Sequence, residues 1–464
     1  MKFSRRAVFP SLVGLLSSKA YSAEPVSGPT SSCFSCNQRY SVDAVPLSAF
    51  PGGSDLTNIQ LAFRRALDYC KINGRTMVEF PAASCVIDSE LIVDIPNIHV
   101  FGNNSVLIQN NSARGGVRIQ ADNVKISGFS IINGSRRERL RGGDYFGSLA
   151  RDRVAGVTVY DANMCVLSDL MIENFNAGIY LTGSQSRKDK NVGTKVFGVT
   201  TSKCDMGVLF TQQDELRLSN IQSFSITNVQ GVPPHCVYGS EHGGENGLVM
   251  VSDLYCGEND FDSGFKFKGC TLSGGNLTGK SSTILLQLER CAGQLTSMSL
   301  FDQKRTASYT SQAVNITQSP YIRLSNLLIK RSAYRGKVFR IHSSPGVRLE
   351  NASVETTLAL DRGESPFIIE ERSDDVMIIN SRYVDHSSTP TDRPVFQIAN
   401  SDRVGIVSPE VFGTDRIALF QGKSTNGFVS IFPPFLKNGL APQEKGLHQI
   451  DQSHNNDIMI NVTK

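Results

Sequence analysis

One pattern returns along most of the chain and limits its folding options more than any other feature. Short runs alternate apolar and polar residues, bend at a Gly, Asp or Asn, and then resume the alternation. The runs are VKISGFSI (124–131), VLSDLMI (166–172), LRLSNIQS (216–223), LVMVSDLY (248–255), IRLSNLLI (322–329), VRLENASV (347–354) and VMIINSRY (376–383). Period-two alternation marks strands with one buried face. The recurring Gly128, Asp169, Asn220, Asp253, Asn326, Asn351 and Asn380 suit a one-residue bend in the left-handed region, which these residue types tolerate best. Neighbouring bends stand roughly one or two lengths of 20–30 residues apart, the range in which solenoids repeat.

Each unit carries a second strand: AGVTVYD (155–161), AGIYLTG (177–183), MGVLFTQ (206–212), SGFKFKG (263–269), GKVFRIH (336–342) and PVFQIAN (394–400). Several strands per turn, with a tight bend at one corner and variable loops at another, describe an all-β, single-stranded parallel β-helix. An antiparallel sandwich would show Asn-Gly hairpin signals between neighbouring strands, and these are scarce. A leucine-rich horseshoe would show a strict leucine template, which is absent. Ahead of the repeat, Leu56, Ile59, Phe63, Ala66 and Leu67 share one face of an amphipathic helix that ends at Asn73-Gly74. A solenoid needs its open end covered, and this helix fits that task.

These features resemble the pectate-lyase-like superfamily of right-handed parallel β-helices. The resemblance rests on the capping helix followed by MVEFPAASCVIDSELIVDIPNIHVFGNNSVL (77–107). Val78 and Pro81 match the superfamily's Val-x-x-Pro-x-Gly-x-Tyr strand, and Gly102 matches its later Gly. Ala83 stands for the Gly and Cys85 for the Tyr, and the acidic segment before the helix shrinks to GGSD (52–55). The resemblance implies a right-handed coil in a superfamily of polysaccharide lyases, glycoside hydrolases and tailspike-like depolymerases, some members of which have no known catalysis.

The termini complete the organisation. MKFSRRAVFPSLVGLLSSKAYSA has a basic start, a short apolar run and small residues up to Ala23, the pattern of an export signal. SRRAVF resembles the twin-arginine motif with Val8 at its usual Phe position, so twin-arginine and Sec export both stand. The expected division is a signal peptide over 1–23, an N-terminal segment with the capping helix and first strands over 24–112, the β-helix over 113–422, and a C-terminal tail or cap over 423–464. Periplasmic or secreted localisation follows, with no membrane anchor after leader cleavage and no nucleic-acid partner. The formal charge of +4 is itself too small to imply such a partner.

Ten cysteines fit an oxidising compartment. Cys33 and Cys36 form a C-x-x-C without a second pair to complete a zinc set, leaving a disulfide to Cys70 or Cys85, or free thiols. Cys270 and Cys291 lie about one repeat apart and stack on adjacent turns or stay buried and unpaired.

Function must use residues that point outward from the coil. In the second strands, Val157, Val159, Ile179, Leu181, Val208, Phe210, Phe265 and Phe267 are expected to point inward. That leaves Thr158 and Tyr160, Tyr180 and Thr182, Lys266 and Lys268, Gln287 and Glu289, and Arg340 and His342 outside. The run PPHCVYGSEHGG (233–244) holds two of the chain's seven histidines and falls in the same register. It is expected to present His235 and Tyr238 to solvent one turn before Lys266. Strands about 4.8 Å apart let these side chains converge on one sugar unit.

Two chemistries follow. A lyase neutralises a uronate carboxylate and removes the C5 proton, with Lys266 or Lys268 as cation or base and Tyr238 or His235 as base or acid. A hydrolase places two carboxyls about the glycosidic oxygen, and Glu241, Asp260, Asp262 and Glu289 are the acids at hand. Basic loops at 134–153 (Arg137, Arg139, Arg141) and 184–191 (Arg187) would draw in an acidic polymer. Together with Tyr160 and Tyr180 these arginines form the expected substrate-binding set. Trp is absent, so any ring stacking falls to Tyr and Phe. No cofactor or metal site is expected: His235 and His242 lack further ligands, and ENDFDSG (258–264) offers Ca²⁺ oxygens without the rest of a calcium loop. The reading is an exported protein that cleaves or modifies an acidic polysaccharide. The alternatives are a non-catalytic polysaccharide-binding or assembly factor and a tailspike-like adhesion module.

Overall fold

The computed structural model describes residues 44–51, 59–135, 154–183, 189–224, 235–257, 264–281, 284–301, 312–332, 338–356, 365–386, 394–412, 417–424, 426–430 and 448–450. Among them, two large sheets of 18 and 14 strands run the length of the coil, and every pairing in them is parallel. In the smaller sheet each strand bonds to the strand of the turn before and the turn after. This connectivity is a parallel β-helix, and parallel crossovers of L-residues take the right-handed sense. The fold is the parallel β-helix expected from the sequence.

The residues that make each strand also fill the coil. Val157, Ile179, Val208, Val237, Phe265 and Leu286 are register partners on successive turns, and all are buried. The column continues through Phe339, Phe367 and Phe396, whose rings follow one another at 4.6 and 4.8 Å. Ring spacing therefore equals strand spacing. Each of the eight residues expected to point inward is buried in the main core.

All seven expected bend residues adopt positive φ, from 48° at Asn220 to 76° at Gly128. Gly198, Asn276 and Ser297 make the same bend in turns that the alternation did not reveal. The bends also bond to each other. Asn351 Nδ2 donates to Asn326 Oδ1 at 3.0 Å, and Asn380 Nδ2 donates to Asn351 Oδ1 at 3.4 Å. At the other corner a buried serine ladder does similar work. The Oγ atoms of Ser319, Ser344, Ser373, Ser401 and Ser424 each accept the amide N–H of the corresponding residue one turn earlier, at 3.0–3.3 Å. Each hydroxyl donates in turn to a nearby carbonyl, as Ser344 does to His342 O at 2.8 Å. Corner amides that the sheet cannot satisfy are thereby paired.

The helix Ile59–Asn73 closes the N-terminal end. Ile59, Phe63, Ala66, Leu67 and Cys70 on one face join the main core, and Phe63 lies against Phe80 with ring centroids 5.5 Å apart. Cys70 and Cys85 are buried free thiols, both pushed up to about 11 by burial. Cys33 and Cys36 lie outside the described residues. One cross-link was not foreseen: Cys236 and Cys256 form a disulfide spanning 20 residues of chain. Cys270 and Cys291 are buried free thiols on adjacent turns.

The asparagine bends give a direct test. Asn351→Ala puts a Cβ-bearing residue without a local hydrogen bond at φ 54° and breaks the ladder on both sides. It should lower unfolding free energy by roughly 1–2 kcal/mol. Asn351→Gly, which keeps the bend free of strain, should lose clearly less in the same denaturant titration.

Candidate functional site

The outward residues of the smaller sheet form columns along the coil. One column runs Thr158, Tyr180, Leu209, Tyr238, Lys266, Gln287, Asn315, Arg340, and beside it Lys268 stands opposite Glu289. Tyr238, Lys266, Lys268 and Glu289, all expected as site residues, are thus brought together on adjacent turns. The Lys266 ammonium lies 5.2 Å from the centre of the Tyr238 ring.

A chain of charges fixes this patch. Lys268 Nζ meets Glu289 at 2.5 Å, and Arg290 Nη1 meets the other Glu289 oxygen at 2.8 Å. Arg290 also donates from Nε to both oxygens of Glu241 at 3.0 Å, and from Nη1 to Gln318 at 3.3 Å. Arg290 was not foreseen. It sits at a corner with φ 53° rather than in a strand, so strand alternation could not flag it. Its fork ties Glu241 of the PPHCVYGSEHGG run to Glu289, two turns on.

Lys266 is the exception in this network: among the described residues it has no ion-pair partner. Burial, and then the neighbouring Lys268 charge, hold its ammonium below the usual lysine range. Burial raises the Tyr238 phenol above its ordinary value, against the opposing pull of Lys268. Burial alone would raise the Glu289 carboxyl, but Lys268 and then Arg290 hold it below the usual carboxylate range. Farther along the face, Arg340 Nε meets Glu370 at 2.6 Å with His342 Nδ1 at 3.5 Å from the same oxygen.

Other expectations need correction. His235 does not face solvent: it is 2% exposed. Its register partner is Met206, which packs with Val154, Ala155, Ala177, Tyr180 and Leu209 in a second apolar cluster separate from the main core. The His235 ring lies 5.2 Å from that of Tyr238, and burial, followed by Lys266 and Lys268, drives its pKa well down. It is a neutral imidazole inside a buried layer. Tyr180 is likewise 2% exposed, and Thr158 and Thr182 are buried. Burial also raises the Tyr180 phenol. The outward face of these early turns is therefore covered, and Tyr180 is not a stacking platform. Tyr160 is half-buried with the Arg118 guanidinium 4.6 Å above its ring. His242 is exposed on a turn while His235 is buried. Among the described residues no cluster of His, Cys, Asp and Glu could hold a metal ion. Asp260, Asp262, Arg137, Arg139, Arg141 and Arg187 lie outside the described residues, as does all of the calcium-like run except Gly264.

No family model matches the chain, and no curated relative does. Among solved structures, the A-module of the Azotobacter vinelandii mannuronan C-5 epimerase AlgE6 is similar at 11% identity and a TM-score of 0.47, over 83% of this chain and 97% of that one. A family 28 exopolygalacturonase of Yersinia enterocolitica is similar at 11% identity and a TM-score of 0.47, over 80% and 78%. PfbA, a surface adhesin of Streptococcus pneumoniae, is similar at 9% identity and a TM-score of 0.41, over 84% and 90%. The likeness is one of fold. Among the described residues no helix is long and apolar enough to cross a membrane.

The two charged groups at the centre should both make stability rise with pH, Lys266 over the alkaline range and Glu289 over the acid range. Lys266 has a lowered folded-state pKa, so its charge opposes folding and stability rises as pH climbs from that value towards the unfolded one. Lys266→Met should therefore raise the unfolding midpoint at neutral pH and flatten the alkaline rise. Glu289 has a lowered pKa, so its contribution is full above the unfolded value and lost as pH falls through the folded one. Glu289→Gln should lower the neutral midpoint and remove part of the acid dependence. Both are read from thermal melts across pH.

Proposed function

We propose that the protein is an exported polysaccharide-modifying enzyme that acts on uronate-containing chains by β-elimination at the Tyr238–Lys266 patch. The observation that carries this reading is Lys266, a partly buried lysine with a lowered pKa, beside a phenol whose pKa is raised. Elimination needs a base that gives up its proton more readily than an ordinary lysine and an acid that stays protonated until the leaving oxygen departs. Lys266 in its neutral form takes the C5 proton. The C4–O bond breaks, a C4–C5 double bond forms, and the Tyr238 hydroxyl protonates the departing oxygen. The proton on Lys266 then passes through solvent to the phenolate. Lys268 faces the uronate carboxylate, its charge shared with Glu289. A cation there stabilises the charge that builds on the carboxylate as the C5 proton leaves.

The hydrolytic alternative calls for a carboxyl held protonated by its surroundings. On the described outward face Glu241, Glu289 and Glu370 are each bonded to Arg or Lys, and Lys268 and Arg290 hold the Glu289 carboxyl below the usual carboxylate range. This observation weighs towards elimination. The arginine-rich loops at 134–153 and 184–191 and the leader of 1–23 belong to the same proposal, as means of drawing in an acidic polymer outside the cytoplasm.

A panel of uronate polymers tests the reading. The mature protein should generate the ultraviolet absorbance of unsaturated uronates on at least one of them. Lys266→Ala should lower that rate by about 100-fold or more, and Tyr238→Phe by a similar order. Reducing ends without the absorbance would instead identify a hydrolase, and saturable binding with neither product would identify a binding or assembly factor. Unchanged turnover in Lys266→Ala would reject the site.

A further inference from the structure

The larger sheet presents a second outward face, and its side chains differ from those of an ordinary solvated surface. Lys125, Lys195 and Arg217 share one register column, with Val166 filling the turn between the first two. All three cations are exposed, and among the described residues none has an ion-pair partner. Asp169 and Glu215 stand at positive-φ bends of the same turns. In the next column, Phe197 lies between Ser168 and Ser219 and is 39% exposed. Lys195 and Phe197 are two residues apart on one strand, so they project from the same face.

Charges on a sheet edge are a common defence against aggregation. These strands are internal to the stack, each paired on both sides, and have no edge to protect. An aromatic ring exposed in the middle of a flat sheet is costly to leave in water. Beside cations on neighbouring turns and the half-buried Ser219 it has the make-up of a platform for an anionic sugar. The ring packs against the apolar face of a pyranose, the cations meet its carboxylates, and Ser219 bonds one of its hydroxyls.

We propose that this face is a second, non-catalytic binding track for acidic polysaccharide, centred on Phe197 with Lys195 and Arg217 on adjacent turns. It rests on the reading of the ligand as an acidic polysaccharide, and not on any turnover at Lys266. Its role would be to hold a long chain on the protein while another segment of that chain occupies the smaller sheet. A polymer long enough to reach both faces then gains through effective concentration what a short oligomer cannot.

The test uses the mature full-length protein in affinity electrophoresis through gels containing polygalacturonate, alginate or neutral dextran, with double-stranded DNA as a control polyanion. The proposal expects retardation by at least one polyuronate and none by dextran. Phe197→Ala and the double variant Lys195→Glu/Arg217→Glu should each weaken that retardation by about tenfold. Phe197→Tyr, which keeps the ring, should restore it. Circular dichroism melts matching those of the unaltered protein exclude misfolding as the cause. Wherever oligouronate elimination is measurable, the same variants should leave it unchanged. If no polymer is cleaved, the electrophoresis still decides, because it reads binding alone. Undiminished retardation in both variants overturns the proposal, and so does an equal loss of DNA retardation, which would mark a face that takes any polyanion.

Discussion

Backbone hydrogen bonding between successive turns is the constraint on which everything else rests. Each strand bonds in parallel to its counterpart one turn away, so residues 20 to 30 positions apart become neighbours at about 4.8 Å. That single repeat distance converts a linear sequence into columns. Inside, the columns are Val, Ile, Leu and stacked Phe. At the corners they are Asn bends that bond to one another and Ser hydroxyls that accept the amide of the turn before. Outside they become whatever the sequence supplies, free of the demands of packing. The inner columns hold the register, and the outer ones are positioned by it.

The smaller sheet shows how burial divides one face into two. Around Tyr180 and Leu209 the outer side is apolar and covered, and His235 joins that layer. From Lys266 to Arg340 the same side is polar and partly open. Tyr238 stands at the junction, packed on one side against the apolar cluster and on the other beside Lys266. The junction is what shifts the two groups: half-buried beside a buried layer, a lysine loses part of its hold on a proton and a phenol gains. Neither would be perturbed in the middle of a fully wet sheet.

The sequence made the coil legible because its signal is repeated many times and each copy is local. Alternation identified the strands, and the tolerance of Asn, Asp and Gly for positive φ marked the bends. Turns built on KVFGVTTS, TLSGGNLTGK and AGQLTSMSLF escaped notice because Thr, Ser and Gly dilute the apolar signal. The grouping of Tyr238, Lys266, Lys268 and Glu289 was legible too, since it follows from register alone. Exposure was not. Whether an outward side chain meets water depends on what lies over it, and no periodicity encodes that, so Tyr180 and His235 were misplaced. Arg290 escaped because corners have no period, and the Cys236–Cys256 link escaped because sequence spacing alone does not fix a pairing.

The asparagine bend has a consequence for how such a chain can change over generations. It fixes the phase of every turn at one corner, so differences in turn length are absorbed at the others. Excising one residue inside a strand would flip all the side chains beyond it to the wrong face. Excising a whole turn would rejoin two near-equivalent ends and leave the columns on either side intact. The molecule can therefore lengthen or shorten by complete steps, gaining or losing one unit of each surface at a time.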